Sequence, residues 1–468
     1  MRSDYERLSE ILGLARQIAL DFHADLRDRP VASPVTSMAP RMLSEDGVGA
    51  AGALRNFSEL VAPHLSASVG PRYLGFVTGG ATPAALVGDW LAAAVDQNPP
   101  SPGDSIAPAL TDRTIAMMAD LFELPFGEGG FDGVFTSGAL GANVLGAVCF
   151  REWAGRRSNV DVTAHGVGAL TDIEIFTASP HVTMLKALGL VGLGRQSYVR
   201  IAPLEGREAM DVSELERALE RSMATNRVVI ASAGIVSTGD SEAIDAIADL
   251  CDRYDAWLHV DGAFGLYARC SPRFASMAAG VERARSITTD CHKWLNVPYD
   301  CGLFLTRELE LLEEAMRLSA PYLQTDDPAP AYLNRGIESS QRFRALPVWM
   351  TLEAYGRRGV REMTERCCDL ALELGRRLER MEGYELLAPV SLNIVLFRGW
   401  FGSDERSNAK QRVLMQTINA TGKVFLTPGL LGDRQGMRAA FSNWMTGAGD
   451  IDIIADALAR ARSECSSA

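Results

Sequence analysis

An α/β fold with a mostly parallel sheet is predicted by three observations. From about residue 71 to 340, short apolar runs alternate with segments of helical periodicity. Several of those runs are apolar on both faces, as strands covered by helices on each side must be. The third is size: 468 residues, 47% apolar and 22% charged, supply enough material for a large core.

The predicted strands, in order, are Gly133 to Thr136, Asp172 to Ala178, Ser197 to Ile201, Val228 to Ala233, Trp257 to Asp261, Ser286 to Thr289 and Cys301 to Thr306. Helices are expected between them near 141–157, 181–191, 212–225 and 241–255, with Asp211 or Ser213 and Ser241 as N-caps. In such folds ligands collect beyond the carboxyl ends of the strands, where several loops converge. Residues 1–70 read as a helical arm, since Tyr5, Leu8, Ile11, Leu12, Ala15 and Ile18 recur at helical spacing. A short amphipathic helix cannot bury its stripe alone, so the arm is expected to pack on a partner, and a dimer follows. Residues 341–468 read as a smaller α+β domain with a long helix near 344–381, a strand at 391–398 and a terminal helix from about Asp450. The stretch 321–336 is long and weakly patterned, and reads as a mobile loop.

Composition narrows the function. The formal charge, 46 minus 59 or −13, leaves no basic surface for a phosphate backbone, so no nucleic-acid partner is expected. Eight cysteines occur without a CxxC pair or ligand spacing, which suits a reduced cytoplasm. Asp4, Glu6, Glu10 and Arg16 interrupt the first apolar run, so neither a signal peptide nor a membrane span is expected. Six histidines form no HExxH, and no metal site is expected.

Lysine is scarce. The chain has four (Lys186, Lys293, Lys410, Lys423), which leaves 46 minus 4, or 42, arginines. An amine can deprotonate and condense with a carbonyl, whereas a guanidinium cannot, so each lysine merits inspection. Lys293 is set apart by its apolar surroundings in TTDCHKWLNVPYDCGLFL. It follows Asp261 of HVDGAFG (259–265) by 32 residues. A carboxylate at a strand end, small residues beside it and an amine on a neighbouring loop meet the needs of pyridoxal 5'-phosphate. The amine binds the aldehyde, and the carboxylate keeps the ring nitrogen protonated so that the ring accepts electrons.

HVDGAFG together with DCHKWL resembles the group II pyridoxal-phosphate-dependent amino-acid decarboxylases, the family of the aromatic-L-amino-acid, histidine and glutamate enzymes, over about residues 70–445. The resemblance implies fold type I, the aspartate aminotransferase-like α/β fold, and a homodimer with active sites at the subunit interface. It implies that Lys293 anchors the cofactor, Asp261 pairs with the ring nitrogen, Ala263 packs on a ring face and His292 approaches the phosphate. FTSGALGAN (135–143) is similar to the family's glycine-rich turn, so Gly138, Ala139 and Leu140 are expected to hold the phosphate through backbone donors, aided by Thr288 or Thr289. SPHVTMLKALGLVGLG (179–194) implies that His181 stacks on the ring.

The remaining assignments concern reaction and substrate. Tyr332 lies ten residues before Arg342, the spacing of the loop tyrosine that relatives use to protonate the carbon after decarboxylation. Arg438 of RAAFSNWMT matches the family's LRxxxxNxxT and faces two readings, substrate carboxylate or structural ion pair. PRYLGF (71–76) is similar to a pocket-lining segment, so Tyr73, Leu74 and Phe76 are expected against an aromatic or other apolar amino acid, with glutamate or aspartate second. In ASAGIVSTG (231–239), Ile235 and Val236 stand where relatives carry threonine. Transamination, aldol cleavage or oxidative deamination to an aldehyde therefore stay open beside decarboxylation, as does a non-catalytic binding role.

Overall fold

In the computed structural model, which describes residues 1–33, 37–100, 105–317 and 332–467, two sheets organise the chain. The first is formed by β1 (Asp132–Thr136), β2 (Ile173–Thr177), β3 (Val199–Arg200), β4 (Asn226–Ser232), β5 (Ala256–Asp261), β6 (Ser286–Asp290) and β7 (Gly302–Thr306), in the order β1-β7-β6-β5-β4-β2-β3. β7 runs antiparallel to both of its neighbours, β1 and β6; every other pairing is parallel. The carboxyl ends of β1, β2, β4, β5 and β6 therefore open on one side of the sheet. β5 is buried along its whole length, which explains the unbroken apolar run before Asp261.

Helices cross between the strands as the alternation predicts. Ala139–Arg157 follows β1, Val182–Leu190 follows β2, Val212–Arg221 follows β3 and Ile244–Arg253 follows β4. Asp211 caps its helix by accepting from the backbone N–H groups of Ser213 and Glu214. Ser241 does not cap: Ile244–Arg253 begins after Ala243, and the Ser241 hydroxyl donates to the Met277 carbonyl instead. A nearer tertiary acceptor outcompetes the local one.

The helix Ala345–Arg380 leads to the second sheet and breaks its regular geometry at Gly356, whose φ of 59° a side chain would disfavour. That sheet is antiparallel, in the order β10-β11-β9-β8, from β8 (Tyr384–Leu386), β9 (Ile394–Gly399), β10 (Thr427–Leu431) and β11 (Arg434–Ala440). The helix Ala448–Ser467 follows. At the other end of the chain, the helix Leu8–Ala24 has no buried residue and exposes Leu8, Leu12 and Leu20. Of the stretch expected to be a mobile loop, residues 321–331 lie outside the described residues. No described helix is long and apolar enough to cross a membrane.

Candidate active site

The carboxyl ends of β5 and β6 converge with the turn after β2 on a cleft of about 720 Å³. Its wall includes His181, Asp261, Ala263, Lys293, Arg438 and Phe76. Six of the residues singled out in the sequence thus share one cavity.

Asp261 is the last residue of β5, buried, and fixed from two sides. Asn143 Nδ2 donates to its Oδ2 at 3.0 Å, and the backbone N–H of Ala263 donates to its Oδ1 at 3.2 Å. Lys293 sits in the turn after β6, where its Nζ lies 3.0 Å from Asp290 Oδ2. The same carboxylate oxygen is 3.6 Å from His292 Nε2. This turn presses closely on a neighbouring loop: a Cβ on Gly79 would stand 1.7 Å from the Lys293 carbonyl oxygen, so only glycine fits there. His181 caps the helix Val182–Leu190, its Nδ1 accepting from the Thr183 N–H at 3.3 Å and sharing a 2.7 Å hydrogen bond with Thr183 Oγ1. Burial pushes the His181 imidazole below the ordinary histidine range, and Asp261 partly opposes that.

The glycine-rich turn sits behind Lys293. Gly138, with φ of 146°, starts the helix Ala139–Arg157 without a side-chain cap, leaving the N–H groups of the first turn, from Ala139 and Leu140 onward, for an anion. A Cβ on Gly138 would fall 3.0 Å from His292 Cε1, so this helix start abuts the residue beside Lys293. Thr288 and Thr289 are buried in β6, away from the cleft wall, and their hydroxyls have no hydrogen-bond partner. Together these residues fit pyridoxal phosphate. An amine, a fixed carboxylate, a small floor residue at Ala263 and an uncapped helix start match its aldehyde, ring nitrogen, ring face and phosphate.

Two assignments change. Tyr332 is buried away from the cleft, and its hydroxyl accepts the Phe135 N–H at 3.2 Å, so it is held in the core of its own subunit. Leu74 is buried as well; its N–H donates to the Phe425 carbonyl and its carbonyl accepts from Ala440, which makes it a core residue tied to the second sheet. The segment turns at Phe76, whose φ is 57°, so its side chains do not share one face. Tyr73 stacks on Phe425 with ring centroids 4.7 Å apart, and Phe76, at 60% exposure, is the member of the segment on the cleft wall.

Arg438 is wedged between walls. Nη1 donates to the Val236 carbonyl at 2.8 Å and Nη2 to Thr427 Oγ1 at 3.3 Å, while Nε has no partner. Burial lowers its pKa to about 10, which leaves it cationic at neutral pH. Sequence reasoning missed Asn143, Asp290, Gly79 and Tyr299, the last of which packs its ring 4.5 Å from that of His292. Asp290 stands three residues before Lys293 and Asn143 ends FTSGALGAN, so the motifs marked both as candidates, but the contact of Asn143 with Asp261 has no local signal.

Residues 37–399 match the family described as pyridoxal-dependent decarboxylase conserved domain. The chain belongs to that family. The decarboxylase is 26% identical over 438 residues to an aromatic-L-amino-acid decarboxylase of Bacillus atrophaeus, covering 90% of this chain and 88% of the relative. It is 26% identical over 465 residues to tryptophan decarboxylase 1 of Oryza sativa subsp. japonica, covering 94% and 87%. An L-2,4-diaminobutyrate decarboxylase of Acinetobacter baumannii matches at 29% over 283 residues, 57% of this chain and 55% of the relative. The fold is that of Oryza sativa TDC solved with PLP and tryptamine, with a TM-score of 0.89 at 22% identity over 98% of each chain. The decarboxylase is therefore a fold type I carboxy-lyase that uses pyridoxal 5'-phosphate on an amino acid.

Proposed function

We propose that the substrate is an L-amino acid with an aromatic or other apolar side chain, converted to its amine and carbon dioxide, and that Lys293, Asp261 and His181 carry the reaction. The observation that carries this reading is the shared wall: these three side chains line one cleft with Phe76, Val77, Leu185 and Phe264. The names of relatives that act on aromatic amino acids support the substrate class.

When bound, pyridoxal phosphate supplies an electron-accepting ring. Lys293 would hold it through its amine. Asp261 keeps negative charge beside the ring nitrogen, held there by Asn143 and the Ala263 N–H. His181, on the cleft wall opposite, would hold the proton that replaces the carboxylate at Cα. Arg438 presents a cation to the carboxylate, and the start of Ala139–Arg157 holds the phosphate. Apolar neighbours exclude water from the reacting carbon.

The working unit is a homodimer in which a second copy covers the arm, because Leu12 and Leu20 stay more than half exposed among the described residues of one chain. Division into an arm (1–70), a large domain (71–340) and a small domain (341–468) agrees with the confinement of β1–β7 and β8–β11 to the last two spans. The eight cysteines are free thiols, which supports a cytoplasmic location.

A panel of amino acids assayed by mass spectrometry tests the reaction: amine and carbon dioxide are expected from an aromatic substrate. A keto acid or aldehyde as main product overturns it. Borohydride reduction of the holoenzyme should leave the cofactor's mass on Lys293, and a tag on another lysine overturns the anchor. Sedimentation at working concentration should give twice the chain mass.

A further inference from the structure

Beneath the cleft a chain of buried polar side chains runs from β5 and β6 to the first helix after β1. Trp257 Nε1 donates to Ser286 Oγ at 3.0 Å. Ser286 Oγ lies 2.8 Å from His259 Nδ1, and His259 Nε2 lies 3.3 Å from Asn143 Oδ1. Asn143 Nδ2 then donates to Asp261 Oδ2 at 3.0 Å and to Thr183 Oγ1 at 3.2 Å. Asn143, His259, Ser286 and Trp257 are fully buried, so water cannot rearrange the pattern.

The direction of every proton in this chain follows from satisfying its ends. If His259 carried its proton on Nδ1, its Nε2 lone pair would face the Asn143 carbonyl oxygen. Turning the amide to relieve that would aim the oxygen at the Asp261 carboxylate. Only an Nε2–H imidazole avoids both conflicts. Ser286 then accepts from Trp257 and donates to His259 Nδ1. All donors point toward Asp261, and the chain ends on a carboxylate that receives but cannot return a hydrogen bond.

A branch leaves Asn143 for the other side of the cleft. Thr183 Oγ1 accepts from Asn143, so its own proton goes to His181 Nδ1, 2.7 Å away. The Thr183 N–H also points at Nδ1. His181 therefore keeps its proton on Nε2.

We propose that Asn143 is a positioning residue for both Asp261 and His181, orienting the carboxylate while fixing the imidazole proton on Nε2, and that His259 holds Asn143 in the required orientation. The catalytic meaning of this assignment rests on the decarboxylase reading, but the proton arrangement does not. A carboxylate aimed by one amide and an imidazole held as one tautomer arrive prepared, and neither needs to reorganise as charge moves.

Long-range proton–nitrogen NMR on ¹⁵N-histidine-labelled, cofactor-free protein reads the tautomers directly. Wild type should show Nε2–H for His181 and His259; an Nδ1–H pattern at either overturns the inference without any variant. In the holoenzyme, Asn143→Ala should lower kcat by roughly 10- to 100-fold with KM changed far less, and should shift the pH profile of the cofactor's visible absorbance. His259→Gln, whose amide N–H can still donate to Asn143, should stay within about threefold of wild type, whereas His259→Leu should fall as far as Asn143→Ala. Asn143→Ala with unchanged kcat and absorbance profile overturns the proposal. A wild-type holoenzyme that releases no amine from any substrate would sink the decarboxylase reading alone, since the tautomers are read on cofactor-free protein.

Discussion

The Lys293 amine and the Asp290 carboxylate, three residues apart on the turn after β6, form a 3.0 Å ion pair in which the carboxylate is 2% exposed. The second carboxylate oxygen, Oδ1, has no hydrogen-bond partner. The pair ties Lys293 to its own turn, and the buried carboxylate depends on the amine for compensation.

Removing one member of such a pair strands the other. Asp290→Ala should destabilise the cofactor-free protein by only about 1 kcal/mol, because the Lys293 amine it leaves unpaired lines the cleft, where water reaches it. Thermal melts with and without pyridoxal phosphate check this: the loss should shrink when the amine is engaged by cofactor.

His259 links the polar chain to acid stability. Burial pushes its pKa down to about 4, against 6.5 for a free imidazole, with Asp261 opposing weakly. The unfolded chain therefore binds a proton that the folded chain refuses between those values. The contribution is fully present above pH 6.5 and is lost as pH falls toward 4, amounting to about 3 kcal/mol. In urea melts between pH 4 and 7, His259→Gln should flatten this part of the curve.

Tyr332→Phe removes an acceptor from the buried Phe135 N–H. A stability loss of about 1–3 kcal/mol is expected, with kcat within a few-fold of wild type and amine still the product. A switch to aldehyde, read by mass spectrometry, would return Tyr332 to the reaction.

Phe76→Ala trims an exposed ring from the cleft wall. KM for an aromatic substrate should rise roughly tenfold, while the melting temperature changes little because the ring is 60% exposed.

Gly79→Ala should fold poorly or lose cofactor binding, since its Cβ would meet the Lys293 carbonyl oxygen at 1.7 Å and backbone must move. Absorbance of the bound cofactor against added pyridoxal phosphate measures the loss.

The amino-acid order alone determined the sheet and the chemistry. Strand and helix periodicity is local, so β1 to β7 and their crossover helices could be read from alternating apolar runs. Lys293 and Asp261 could be singled out because pyridoxal chemistry calls for an amine and a carboxylate, and few residues of the right type stand beside small or apolar neighbours; the structure brings both to one cleft. Tertiary structure decided what depends on contacts far apart in the chain. Asn143 meets Asp261 across 118 positions and His259 across 116, and no local pattern encodes that meeting. Tyr332 satisfied a sequence spacing, yet a core N–H 197 positions away claims its hydroxyl. Leu74 likewise lies in a motif of pocket residues but turns inward, tied to Phe425 and Ala440. Periodicity reports which face of an element is apolar; which partner that face finds, and which buried donor each oxygen must satisfy, is set only when the whole chain has closed on itself.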